Sequence, residues 1–183
     1  MPSRKLTSCE PWRLEKLLEA IVPNLRLRDC HKRSTAMNAV HDTMSISPVT
    51  VQATTSIGDL LALFDRHDFN AFPVVGQHNR LLGIVSKLDV LKLFVAHRAL
   101  SGEDIATTCV ADVMQRRAVS VQPRDDIAAA GNLMVVTSLR SIPVTERRGR
   151  HCILVGMLSR SDVLRGLRFQ IVEGRYVRQE KAS

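Results

Sequence analysis

The sequence predicts a mixed α+β fold: two tandem copies of one β-α-β-β-α unit, packed pseudo-symmetrically, with an N-terminal helical extension. Three observations carry this. The chain repeats itself at a nearly constant offset. Each copy alternates strand-like and helix-like apolar spacing. Neither copy, at roughly 60 residues, is large enough for a secure core alone, so the two are expected to pack with their sheets around a shared interior.

The repeat is the strongest signal in the chain. Val40-His41-Asp42-Thr43-Met44 matches Val110-Ala111-Asp112-Val113-Met114 at an offset of 70. The same offset pairs Val49 with Val119, Val51 with Val121, Gln52 with Gln122, Ile57 with Ile127, Leu63 with Leu133, and Pro73-Val74 with Pro143-Val144. The offset then becomes 73, and Gly83-Ile84-Val85-Ser86-Lys87-Leu88-Asp89-Val90-Leu91 matches Gly156-Met157-Leu158-Ser159-Arg160-Ser161-Asp162-Val163-Leu164. The added residues turn Gln77-His78-Asn79-Arg80 into a longer basic stretch around Arg147-Arg148-Gly149-Arg150-His151. An insertion of this kind is expected in an exposed loop.

The elements follow in order. In residues 1–39, Leu14, Leu17, Leu18 and Ile21 share one helical face, with Pro11 suited to the first turn and Pro23 ending it. Such a helix would cover the module's own core or dock a partner. In the first copy, residues 40–100, Val49-Thr50-Val51 reads as a short strand. Ile57, Leu60, Leu61 and Phe64 fall on one face of a helix. Phe72-Pro73-Val74-Val75 and Leu81-Leu82-Gly83-Ile84-Val85 around a polar turn read as a hairpin, and Leu88, Leu91 and Val95 return to helical spacing. Residues 101–109 form the link, with Gly102 stopping the preceding helix. The second copy covers residues 110–168, and the C-terminal tail, polar from Gly174 onward, covers 169–183.

Composition narrows the function. No run of 18 apolar residues is present, and the N-terminus lacks a signal-like apolar stretch, so the expected location is cytoplasmic. Cys9, Cys30, Cys109 and Cys152 form no CxxC and match no zinc spacing, which reads as free or buried thiols with no metal site. Residues 1–39 carry eight Lys/Arg and four acids, residues 40–109 five and seven, and residues 110–183 thirteen and seven. The net +8 therefore belongs to the N-terminal flank and the second half, and it favours anionic partners. Aromatics at 4% are few for base stacking, and no helix-turn-helix or zinc finger is visible, so nucleic acid is not the expected partner, although a basic protein- or nucleic-acid-interaction module without a nucleotide ligand is the alternative reading. No nucleophile elbow, phosphate-binding P-loop or HExxH occurs, so no catalytic residues are expected.

The residues that carry chemistry are the paired Ser-x-x-Asp motifs, Ser86 with Asp89 and Ser159 with Asp162, each where a strand turns into a helix. A carboxylate accepts both hydrogen bonds of a ribose diol, and a helix N-terminus suits a phosphate. Lys87 and Arg160 lie inside the same turns and would neutralise phosphate charge. The same motif is also a helix cap with an acid in the first turn, and both roles fit one residue.

Taken together and in order, the h-x-D-h-M lead-in, V-x-V strand, helix, P-V strand and G-h-h-[S/T]-x-x-D motif, each present twice over residues 40–168, resemble the CBS (cystathionine-β-synthase-type) domain family. The resemblance implies a tandem Bateman module that pairs into homodimers and binds an adenosine-containing ligand between its repeats. It assigns Asp89 and Asp162 to ribose, with Ser86 and Ser159 beside them. It places adenine against Ser47, Pro48, Val49, Ala71 and Phe72 in one copy and Arg117, Ala118, Val119, Ser141 and Ile142 in the other. Arg116, Arg117 and Arg140 put more phosphate-seeking charge near the Asp162 site, which ranks ahead of the Asp89 site. The ligand implied is AMP or ATP, with or without Mg²⁺, and ADP, NAD(H) and S-adenosylmethionine are alternatives. The function implied is non-catalytic regulation through a separate protein effector or a second copy. The basic hairpin run and His67-Asp68 read as solvated surface.

Overall fold

The computed structural model describes residues 39–96 and 102–172. The helix expected over Leu14–Ile21 and the end of the tail lie outside the described residues.

The first copy contains β1 (Ser45–Ile46), β2 (Val51–Gln52), α1 (Ile57–Arg66), β3 (Ala71–Val75), β4 (Leu81–Ser86) and α2 (Lys87–Ala96). The second contains α4 (Val110–Val113), α5 (Ile127–Thr137), β5 (Ser141–Arg148), β6 (His151–Ser159) and α6 (Arg160–Val172). Between them α3 runs from Gly102 to Thr107. Gly102, expected to stop the helix before it, thus starts a helix, and Ile105 of α3 is buried in the first copy's core.

Local sequence explains the helices. Ser56 caps α1 by accepting the Asp59 N–H, and Asp126 caps α5 by accepting the Ala129 N–H. Ile57, Leu60 and Phe64 of α1 are buried, as their spacing requires. The stripe Leu88, Leu91 and Val95 of α2 is exposed instead, and Val90 is the buried apolar residue of that helix.

Each copy folds its hairpin as expected, with β3 antiparallel to β4 and β5 antiparallel to β6. β2 lies parallel to β3, whereas its second-copy counterpart is a single bridge, Val121 to Val144. The added residues of the second copy lengthen its strands rather than its loop. The ladder runs out to Arg148 opposite His151, and Gly149 turns the chain at φ 60°.

The two copies exchange their lead-ins. β1, from the start of the first copy, adds to the edge of β6 in the second, with Ser45 opposite Met157. The mate of that pairing at offsets 70 and 73 is the bridge between Gln115 and Ile84 of β4. Upstream, the Val40 and His41 N–H groups donate to the Asp125 and Pro123 carbonyls at 2.9 Å each. Their mates Val110 and Ala111 donate to Thr55 at 2.8 Å and Ala53 at 2.9 Å.

The interior follows the exchange. The sheets do not enclose one shared interior. One core gathers Val51, Ile57, Leu60, Phe72, Val85 and Val110, and the other Ile127, Leu133, Ile142, Leu158, Val163 and Val40. Each core closes with a valine from the other copy's lead-in.

Candidate functional site

Both Ser-x-x-Asp motifs fold as reciprocal caps. Ser159 precedes α6; its Oγ accepts the Asp162 N–H at 3.2 Å, and its own N–H and hydroxyl donate to Asp162 Oδ2 at 2.8 and 2.6 Å. Ser86 and Asp89 repeat this at the start of α2, with the Ser86 N–H and hydroxyl donating to Asp89 Oδ2 at 2.9 and 2.5 Å. This is the capping-box arrangement. It uses only Oδ2 and leaves Oδ1 of each carboxylate for other donors. Arg165 Nη2 donates to Asp162 Oδ1 at 2.7 Å, whereas Gln115 Nε2 donates to Asp89 Oδ1 at 2.9 Å.

Asp162 lies in the wall of a cleft of about 530 Å³ between the copies, within the range of small-molecule sites. Its walls are shared. The first copy supplies Pro48, Val49, Phe69, Asn70, Ala71 and Pro73, and the second Arg140, Ser141, Met157, Ser159, Arg160 and Arg165. Pro48 and Val49 reach it because β1 is paired with β6, and Ser47 (φ 53°) bends the chain from that strand toward Pro48. Arg140, Arg160 and Arg165 line the cleft together with Asp68 and Asp162, leaving one net positive charge.

Several other side chains are already engaged. Arg160 donates to the Leu139 and Ser138 carbonyls at 2.9 and 3.0 Å. Arg140 Nη1 donates to Asn70 Oδ1 at 3.2 Å. Lys87 Nζ sits 5.5 Å above the centre of the Phe64 ring.

The structure brings together Val49, Ala71, Arg140, Ser141, Ser159, Arg160 and Asp162 from the residues the sequence singled out, and Pro48 with them. Ser86, Lys87 and Asp89 stand at the start of α2, outside this wall. Phe72 and Ile142 are fully buried in the two cores. Strand alternation is the reason: Ala71 and Pro73 face the cleft, so Phe72 between them faces inward. Arg117, Ala118 and Val119 do not line this cleft, and Arg116 and Arg117 do not add charge at Asp162 as expected, because the exchanged lead-in carries their segment to β4 of the first copy, where Gln115 pairs with Ile84. Ser45, Phe69, Asn70, Met157 and Arg165 line it without having been singled out. Asp68, read as plain surface, is also in its wall, and His67 stacks on Phe69 with ring centres 5.1 Å apart. The repeat held a signal for Asn70, since the offset of 70 makes it the mate of Arg140. The basic run Arg147-Arg148-Gly149-Arg150 is exposed at the far end of the β5–β6 ladder. At roughly 3.3 Å per residue it stands about 25 Å from Ser159.

Fold and site together define a duplicated β-α-β-β-α module with a polar, cation-lined cleft where its copies meet. The chain belongs to the CBS domain family, whose model matches residues 40–96 and 110–168. Among solved structures, the CBS-pair protein CBSX2 from Arabidopsis thaliana is 27% identical, with a TM-score of 0.63 over 75% of this chain and 99% of that one. CBSX2 in complex with AMP superposes with a TM-score of 0.62 at 28% identity over 74% of this chain and 98% of that one. An uncharacterised protein of Methanocaldococcus jannaschii is 26% identical over 66% of this chain and 86% of its own length. The homoserine O-acetyltransferase of Methanocorpusculum labreanum is 28% identical over 66% of this chain, but over only 22% of its own length.

Proposed function

We propose that the chain is a non-catalytic regulatory module of the cytoplasm that binds an adenosine-containing ligand between its two copies. One observation carries this reading. The Asp162 carboxylate devotes Oδ2 to capping α6 and keeps Oδ1 toward a cleft with apolar walls and three arginines. In that cleft Asp162 Oδ1 accepts the ribose diol. Adenine lies against Pro48, Val49 and Ala71, and Arg140, Arg160 and Arg165 meet phosphate. AMP or ATP fits that cation set best, and CBSX2, a relative of this chain, was crystallised with AMP. Any Mg²⁺ would ride on a bound polyphosphate. ADP, NAD(H) and S-adenosylmethionine are the competing ligands.

The output passes to a second copy or to a separate effector protein. The exposed apolar side chains of α2 and α6, Leu88, Leu91, Val95 and Leu164, support homodimer formation. Ligand shifts such an equilibrium only by its differential affinity for the two packings.

A thermal-shift series with AMP, ADP, ATP, NAD(H) and S-adenosylmethionine, with and without Mg²⁺, tests the reading. A ligand at about 100 times its Kd stabilises the native state by about 2.7 kcal/mol, which raises Tm by several degrees. A rise with one of the five supports the module's role and names its ligand. No rise with any of them rejects the nucleotide reading.

A further inference from the structure

We infer that the two Ser-x-x-Asp sites are unequal: Gln115 closes the one at Asp89, and a single nucleotide per chain sits at Asp162, with Arg165 turned from that carboxylate to the phosphate. This rests on the adenosine-ligand reading of the cleft.

The asymmetry starts at one pair of mates. The offset of 70 makes Gln115 the counterpart of Ser45, and both cross the edge strand of the opposite copy. Gln115 is held there by its backbone, donating to the Ile84 carbonyl at 2.8 Å and accepting the Ile84 N–H at 3.0 Å. From that fixed backbone its amide reaches Asp89 Oδ1 at 2.9 Å. Both Asp89 oxygens are then occupied by protein donors of a neutral kind, and the amide nitrogen stands where a ribose hydroxyl would have to stand. Ser45 has a side chain too short for the same reach.

At Asp162 the donor on Oδ1 is Arg165, whose side chain is 58% exposed. A guanidinium that leaves a carboxylate for an arriving phosphate keeps a charged partner, so its release costs little. An amide that leaves Asp89 gains no such partner. Charge count does not separate the sites, since Arg116 and Arg117 follow Gln115 on the Asp89 side; what differs is which cation lies beside the carboxylate. The mates of Arg140, Arg160 and Arg165 at the Asp89 site are Asn70, Lys87 and Lys92, and Lys87 is already over Phe64.

Isothermal titration of the full chain with AMP, repeated with ATP, tests this. The parent is expected to take one nucleotide per chain, and Asp162→Ala none. Gln115→Ser, which installs the residue found at the mate position, is expected to take two, and adding Asp89→Ala to it returns the count to one. Gln115→Ala serves the same purpose if the serine variant is unstable. Arg165→Ala should weaken AMP about tenfold or more while adenosine binding changes little, and Lys92→Ala should bind AMP as the parent does. A parent that takes two nucleotides, or a Gln115 variant that stays at one, overturns the inference while leaving the adenosine reading intact. A parent that takes neither AMP nor ATP overturns the inference, and the adenosine reading falls with it only if ADP, NAD(H) and S-adenosylmethionine also fail to bind.

Discussion

At the residue scale, Asp162 divides two tasks between two oxygens. Oδ2 completes a helix cap, and Oδ1 faces the cleft through Arg165. The two tasks separate by substitution. Asp162→Asn keeps one oxygen for the Ser159 N–H but turns an NH₂ toward the cleft, where the proposed ribose would meet a donor instead of an acceptor. This variant is expected to melt within a few degrees of the parent and to bind AMP about tenfold or more weakly. Asp162→Ala removes both functions and should also lose about 1 kcal/mol of stability. Paired melting curves and titrations check this, and an asparagine variant that binds AMP like the parent would remove Asp162 from the ribose.

At the element scale, the glycines of the two Gly-h-h-Ser motifs are explained by the exchanged lead-ins. A Cβ on Gly83 would lie 2.5 Å from the Gln115 carbonyl oxygen, and one on Gly156 would lie 2.9 Å from that of Ser45. Neither backbone can retreat without losing its strand pairing. Gly83→Ala is therefore expected to cost about 2 kcal/mol or more, read from the urea midpoint. Gly102→Ala, with open space around its Cβ at the start of α3, should stay within about 1 kcal/mol of the parent. Equal effects at the two positions would mean that the crossing is looser than the structure has it. The α2 stripe makes a related point. Periodicity shows that Leu88, Leu91 and Val95 share a helix face, yet it does not say what that face meets, and here the face is exposed.

At the scale of the molecule, the exchange makes the two copies mutually dependent. Val40 precedes every strand of the first copy, yet it is buried among Ile127, Leu133 and Ile142 of the second. Val110 does the reverse. Neither core is complete without the other copy, so unfolding is expected as one transition in which the calorimetric and van't Hoff enthalpies agree. Val40→Ala should speed hydrogen exchange in α5 more than in α1, although in the sequence it lies closer to α1. Two separated transitions, or faster exchange confined to the first copy, would contradict the exchanged arrangement.

The sequence by itself determined the duplication, the α+β class, the hairpins and the two Ser-x-x-Asp turns into α2 and α6. All of these rest on local periodicity, capping chemistry and matches between positions of one chain. Only the tertiary structure decided that β1 joins β6 rather than its own copy, and that Ala71 and Pro73 face the cleft while Phe72 fills a core. It also decided that Gln115 and Arg165 hold mate carboxylates by different means. The reason is physical: strand pairing across the repeats and the facing of each strand depend on which copy's edge is nearest in space, and residues 40 and 125 meet only when the chain has closed on itself.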